Sequence, residues 1–124
     1  MKLETETMPE KRMDIFMPGV RYETEKKEAD DFPELVYEKN AALYKLMANP
    51  KRLHILNLLA KREMTVEELS SALNARMANV SQHLAVLRSN RFVRGRRAGL
   101  NVFYRISDAR IVEPCGIFKE LHDL

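Results

Sequence analysis

The chain has 124 residues, a formal net charge of +3 and a single cysteine, Cys115. This length suits one domain with a hydrophobic core of its own, and one cysteine excludes an internal disulfide framework. No apolar run is long enough to span a bilayer, and the first ten residues lack the apolar block of a signal peptide. We therefore expect a cytoplasmic protein that does not associate with membranes.

The charge is unevenly distributed along the chain. Residues 1–31 hold six basic and nine acidic groups, whereas residues 32–124 hold fifteen basic and nine acidic groups. Between residues 69 and 107 there is no carboxylate and no lysine, but there are seven arginines. A solvated basic face is one explanation, but this bias also indicates an anionic partner, and the arginine fork suits phosphate.

The first 31 residues show no sustained hydrophobic period, and we interpret them as a charged arm without stable structure. From Pro33 to Ala48 the apolar spacing becomes helical. Asn49-Pro50 then supplies an N-cap residue followed by proline at the first helical position, which predicts a second helix ending near Arg62.

The centre of the chain carries two helix signals separated by a short turn. Residues 65–68 read Thr-Val-Glu-Glu, a capping box that predicts a helix ending near Leu73. Residues 74–76 form a turn, and a further helix follows from about Met77 to Asn90. Two helices joined by so short a turn make a helix-turn-helix.

Residues 92–97 and 102–106 are β-prone and flank a turn containing Gly99, which predicts a β-hairpin. Ser107 or Asp108 can then cap a last helix towards Leu124, in which Pro114 should produce a kink or delay the start to about residue 113. Its apolar stripe consists of Ile111, Cys115, Phe118 and Leu121. The predicted fold is mainly α with a small β-hairpin: a winged helix-turn-helix with extra helices at both ends.

The second helix of the helix-turn-helix has two distinct sides at 100° per residue. The predicted core side holds Met77, Val80, Leu84 and Leu87. The opposite side is polar and uncharged, and such side chains match base edges, since Gln and Asn pair with adenine and Ala contacts the thymine methyl group. His83 falls on the shoulder of the core side, where we expect it to be buried or in contact with the backbone, with a phosphate contact as the alternative.

These patterns predict a recognition helix, residues 77–90, that enters the major groove of DNA. They also predict an arginine-rich wing, residues 93–105, on the DNA backbone or in the minor groove. The candidate DNA-binding residues are Arg76, Ala78, Asn79, Ser81, Gln82, His83, Arg88, Arg94, Arg96 and Arg97.

Two stretches, residues 46–56 and 79–88, together with the wing residues 96–99 and 102–105, resemble the ArsR/SmtB family of winged-helix repressors. The resemblance covers residues 34–124. It implies a homodimer joined by the first and last helices, an inverted-repeat operator in double-stranded DNA, and release on a chemical signal. Thiolate metal sensors of this family carry cysteine where this chain has Thr65 and Glu67, so the inducer expected here is not a thiolate-bound metal.

Other chemistry finds little support in the sequence. No nucleophile elbow, Walker loop or Rossmann glycine pattern is present, so we predict neither an enzyme nor a cofactor, and the acidic and histidine spacing predicts no metal site. Cys115 is interpreted as a small buried hydrophobic residue, with a regulatory role at the dimer interface as the alternative. The alternatives to a specific repressor are a non-specific architectural DNA-binding protein and a winged-helix module for protein contacts.

Overall fold

The computed structural model describes residues 32–124, and the predicted N-terminal arm, residues 1–31, lies outside the described residues. The predicted fold class is confirmed: the described chain is mainly helical and contains one two-stranded antiparallel hairpin. In chain order the elements are α1 (Glu34–Met47), α2 (Pro50–Leu59), α3 (Val66–Leu73), α4 (Met77–Ser89), β1 (Val93–Ala98), β2 (Asn101–Ile106), a 3-10 helix (Ala109–Val112) and α5 (Glu113–Leu121).

Side-chain caps fix the starts of two helices as the sequence predicts. Asn49 Oδ1 accepts hydrogen bonds from the backbone nitrogens of Lys51 and Arg52, at 3.0 and 3.1 Å. The capping box before α3 is complete, because Thr65 Oγ1 accepts from the Glu68 nitrogen at 3.1 Å and Glu68 Oε1 accepts from the Thr65 nitrogen at 3.0 Å. These contacts satisfy backbone donors that a helix start leaves unpaired.

The hydrophobic core lies between α2, α3, α4 and the base of the hairpin. Helices α1 and α5 contribute no buried residue. The core therefore holds the helix-turn-helix against α2, and the two outer helices keep much of their apolar surface uncovered. The buried apolar residues are Ile55, Leu56, Leu59, Met64, Leu69, Leu73, Val80, Leu84, Leu87 and Val93.

A third backbone segment extends the hairpin. Met64 donates to the Tyr104 carbonyl at 3.0 Å, and Tyr104 donates to the Met64 carbonyl at 2.8 Å. Across the hairpin Tyr104 pairs with Gly95, where an added Cβ would lie 3.2 Å from the tyrosine ring. The glycine thus leaves room for the ring, and the free edge of β2 is tied to the segment between α2 and α3.

The structure decides between the two expected effects of Pro114, a kink in the last helix and a delayed start of that helix. Asp108 accepts a hydrogen bond from the Arg110 nitrogen at 2.9 Å and caps the short 3-10 helix, and α5 begins only at Glu113. Proline in the first turn of a helix removes no hydrogen bond, so the delayed start is favoured over a kink. The predicted end of the second helix was too late, because α2 stops at Leu59.

Candidate nucleic-acid interface

The predicted recognition helix corresponds to α4, and its two sides are arranged largely as predicted. Val80, Leu84 and Leu87 are buried, whereas the outward positions are exposed. The outward side offers two amides, a hydroxyl and a methyl group, with no acidic residue in the first turn of the helix. The exposed outward residues are Ala78, Asn79, Ser81 and Gln82.

Met77 corrects the prediction for the core side of this helix. It is 48% exposed, because the first residue of α4 extends beyond the buried cluster. Instead, Met77 and Ser81 line a groove of about 340 Å³ whose other wall is formed by Leu100 and Val102 of the wing. Leu100 is 99% exposed at the wing tip, so the start of α4 and the tip of the wing lie on one side of the domain.

The wing arginines lie on different faces of the hairpin. Arg97 pairs with Val102, which lines the groove beside α4, and side chains of paired residues share one face. Arg94 and Arg96 lie on the opposite face, because successive side chains in a strand alternate. The sequence alone could not distinguish Arg97 from Arg94 and Arg96, since it does not show which face of the hairpin turns towards α4.

Arg96 is already engaged within the domain. Its Nε and Nη2 donate to Glu63 Oε1 at 3.0 and 2.8 Å, and its guanidinium lies 5.0 Å from the centre of the Phe103 ring. These hydrogen bonds, together with the nearby positive charge, hold the pKa of Glu63 below its ordinary value. A phosphate that bound Arg96 would therefore compete with an existing carboxylate.

His83 is half-buried and faces a neighbouring helix. Arg52 Nε donates to His83 Nδ1 at 3.2 Å, while Arg52 Nη1 donates to the Leu46 carbonyl at the end of α1, at 2.9 Å. Burial, reinforced by the charges of Arg52 and Lys51, lowers the pKa of His83 below 6.5. This imidazole accepts a hydrogen bond between α4 and α2, and its contact with a phosphate stays a prediction.

A basic hollow of about 470 Å³ lies where α4 ends and β1 begins. Arg88 and Arg94 of the candidate set line it, together with Arg91, which is not among the predicted DNA-binding residues. Arg91 occupies the residue that follows the C-cap of α4, where glycine is common. Arginine in place of the usual glycine was the sequence feature that could have singled out Arg91 as a functional residue. Arg76, at the start of α4, is exposed and supplies no side-chain cap.

Cys115 is half-buried, and Asn57 Nδ2 lies 3.5 Å from its sulfur. Within residues 32–124, no three His, Cys, Asp or Glu side chains come close enough together to hold a metal ion. The same residues contain no helix that is both long and apolar enough to cross a membrane.

A helix-turn-helix whose second helix has an exposed, uncharged outward side, followed by an arginine-bearing hairpin, defines a winged helix-turn-helix domain of the DNA-binding class. The family described as "Bacterial regulatory protein, arsR family" matches residues 49–94. The chain belongs to this ArsR family, as the predicted resemblance implied.

Individual relatives agree with this assignment. The transcriptional activator HlyU of Vibrio cholerae is 44% identical over 89 residues, which cover 68% of this chain and 82% of HlyU. A protein named transcriptional repressor SmtB homolog, from Synechocystis, is 33% identical over 69% of this chain, and the match spans 63% of that protein's length.

Solved structures share the architecture. The structure of HlyU from Vibrio cholerae superposes with a TM-score of 0.64 at 36% identity. The match covers 74% of this chain and 100% of the HlyU chain. A homodimeric winged helix-turn-helix DNA-binding domain from Mycobacterium bovis, solved by NMR, gives a TM-score of 0.63 at 28% identity and covers 79% of this chain and 91% of that one.

Proposed function

We propose that this protein is a homodimeric, sequence-specific DNA-binding transcriptional repressor of the cytoplasm. The observation that carries the proposal is the outward side of α4, where Ala78, Asn79 and Gln82 are exposed and uncharged beside a cationic wing. Uncharged amides discriminate between bases, whereas arginines provide affinity for any phosphate backbone. A domain for protein contacts would more typically present an acidic or apolar side at this helix.

The proposed contacts divide by chemistry. Gln82, Asn79 and Ala78 read base edges in the major groove, and Ser81 and Arg76 bind phosphates beside the start of α4. Arg97 follows the backbone or enters the adjacent minor groove, because it shares the wing face that borders α4. We assign His83 a structural role between helices, on the basis of its bond to Arg52.

Dimerisation would use the outer helices. Tyr44 of α1 is 65% exposed, and Ile117, Phe118 and Leu121 of α5 are 52%, 56% and 65% exposed. Exposed apolar side chains on the first and last described helices suit burial against a second copy. A two-fold dimer would present two α4 helices to an inverted repeat, with half-sites about one helical turn apart or a multiple of it.

Fluorescence anisotropy tests the proposal directly. The duplex upstream of the protein's own gene is compared with a scrambled duplex of equal length, at low and at high salt. We expect a preference for the upstream duplex that persists as salt rises, because base contacts release fewer counterions than phosphate contacts. Equal binding of both duplexes that disappears with salt would contradict a sequence-specific repressor and would favour a non-specific architectural DNA-binding protein.

A further inference from the structure

The basic hollow at the end of α4, here called the arginine hollow, is defined by Arg88, Arg91, Arg94 and Ser107. It lies between the C-terminal turn of the recognition helix and the first residues of the wing. Arg88 follows Ser81 by seven residues, or two helical turns, so both lie on the wing side of α4. The arginine hollow therefore borders, through Arg88, the same side of α4 that holds Ser81, two turns further along the helix.

The charge of the arginine hollow is not paired by any carboxylate within residues 32–124. In the part of the chain that the structure describes, none of its three arginines forms an ion pair with a carboxylate. The nearest acidic residue in sequence, Asp108, is held by Arg110 Nη2 at 2.7 Å. Three guanidinium groups around one hollow repel each other unless an anion lies between them.

Two further features of the arginine hollow indicate a ligand. Arg91 has a φ of 65°, a left-handed backbone that glycine adopts at far lower cost, and the Phe92 nitrogen closes the turn by donating to the Leu87 carbonyl at 2.8 Å. The hydroxyl of Ser107 is buried and has no hydrogen-bond partner among the described residues. Strained backbone clusters at functional sites, and an unpaired buried hydroxyl is uncommon enough to call for an explanation such as a bound anion.

We propose that the arginine hollow binds a phosphate group and that the DNA backbone supplies it. Arg91 is the residue that distinguishes this site, since its side chain is placed there at the expense of a relaxed turn. Guanidinium groups donate in pairs to phosphate oxygens, which matches the chemistry of a phosphodiester. The inference rests on the proposed function, because α4 and the wing must face DNA for the backbone to reach the hollow.

The test compares the full chain with three variants on a random-sequence duplex of roughly 30 base pairs, long enough for both half-sites of a dimer. Arg91→Gly removes the guanidinium and relaxes the turn, whereas Arg91→Lys keeps the charge. Arg62→Ala removes one exposed arginine outside the hollow and controls for net charge. Anisotropy is recorded from about 50 to about 200 mM salt, and thermal melting is recorded with and without inorganic phosphate.

We expect Arg91→Gly to melt no lower than the wild type and yet to bind DNA about eightfold more weakly per protomer at about 0.1 M salt. The slope of log affinity against log salt should fall by about 0.9 per protomer, as for one lost phosphate contact. Arg91→Lys should lose less affinity than Arg91→Gly, because it keeps the charge but not the paired donors, and Arg62→Ala should match the wild type.

Unchanged affinity and salt slope in Arg91→Gly would overturn the inference, as would an equal loss in Arg62→Ala. If phosphate raised the melting temperature of the wild type but not of Arg91→Gly while both bound the duplex equally, the occupant would be a free anion and the assignment to DNA would be wrong. Failure of the wild type to bind any duplex would instead remove the proposed function, and the DNA backbone as occupant with it.

Discussion

Replacing Gln82 by alanine separates base reading from backbone contact. Gln82 is exposed on the outward side of α4, and one bidentate amide–adenine pair contributes about 1–3 kcal/mol of discrimination. A homodimer carries the residue in both half-sites, so the operator complex should lose about 2–6 kcal/mol, or at least roughly 30-fold in affinity. Binding to random DNA should hardly change, because the amide is uncharged.

The matched variant is Arg97→Ala, which removes a cation from the wing face beside α4. Loss of one phosphate contact per protomer lowers affinity about eightfold at about 0.1 M salt, or roughly 60-fold per dimer, on any sequence. The salt slope should decrease by about 1.8 per dimer.

Anisotropy titrations of both variants on operator and random duplexes measure these quantities. The assignment of roles would be refuted if each variant lost the same factor on both duplexes, or if the salt slope changed for Gln82→Ala. Circular dichroism of both variants is the folding control, since neither residue belongs to the core.

Three predictions concern stability. Asn49→Ala should lower the free energy of unfolding by about 1 kcal/mol in urea titration, because the starting backbone nitrogens of α2 lose their acceptor; an unchanged midpoint would contradict this role of the cap. Leu84→Ala should cost about 2–5 kcal/mol, because the side chain is 1% exposed, and a smaller loss would mean that the site collapses around it. The folded state lowers the pKa of His83 below 6.5, so its contribution is present above pH 6.5 and is lost as the pH falls through the folded pKa. His83→Asn, which keeps an acceptor for Arg52, should reduce the loss of melting temperature between about pH 7.5 and pH 5, and an unchanged pH profile would argue against this titration.

Local rules predicted most of the fold and less of the site. The caps at Asn49 and Thr65 and the delay caused by Pro114 depend on neighbouring residues, which a sequence displays directly. By contrast, the Glu63–Arg96 pair joins residues that are far apart in sequence, and so does the Arg52–His83 hydrogen bond. Such contacts arise only when packing brings the elements together, and they determine which of the predicted arginines remain unpaired for a ligand.

The backbone bonds between Met64 and Tyr104 have a consequence for how fast and how tightly the wing can engage a partner. An isolated two-stranded hairpin is marginally stable in water, so a free wing would lose conformational entropy each time it bound. Here the third segment and the burial of Val93 fix the base of the hairpin while the chain folds. The wing therefore loses its conformational entropy during folding, and association with a partner does not have to wait for the wing to become ordered. Any conformational adjustment on binding is confined to the exposed tip around Leu100.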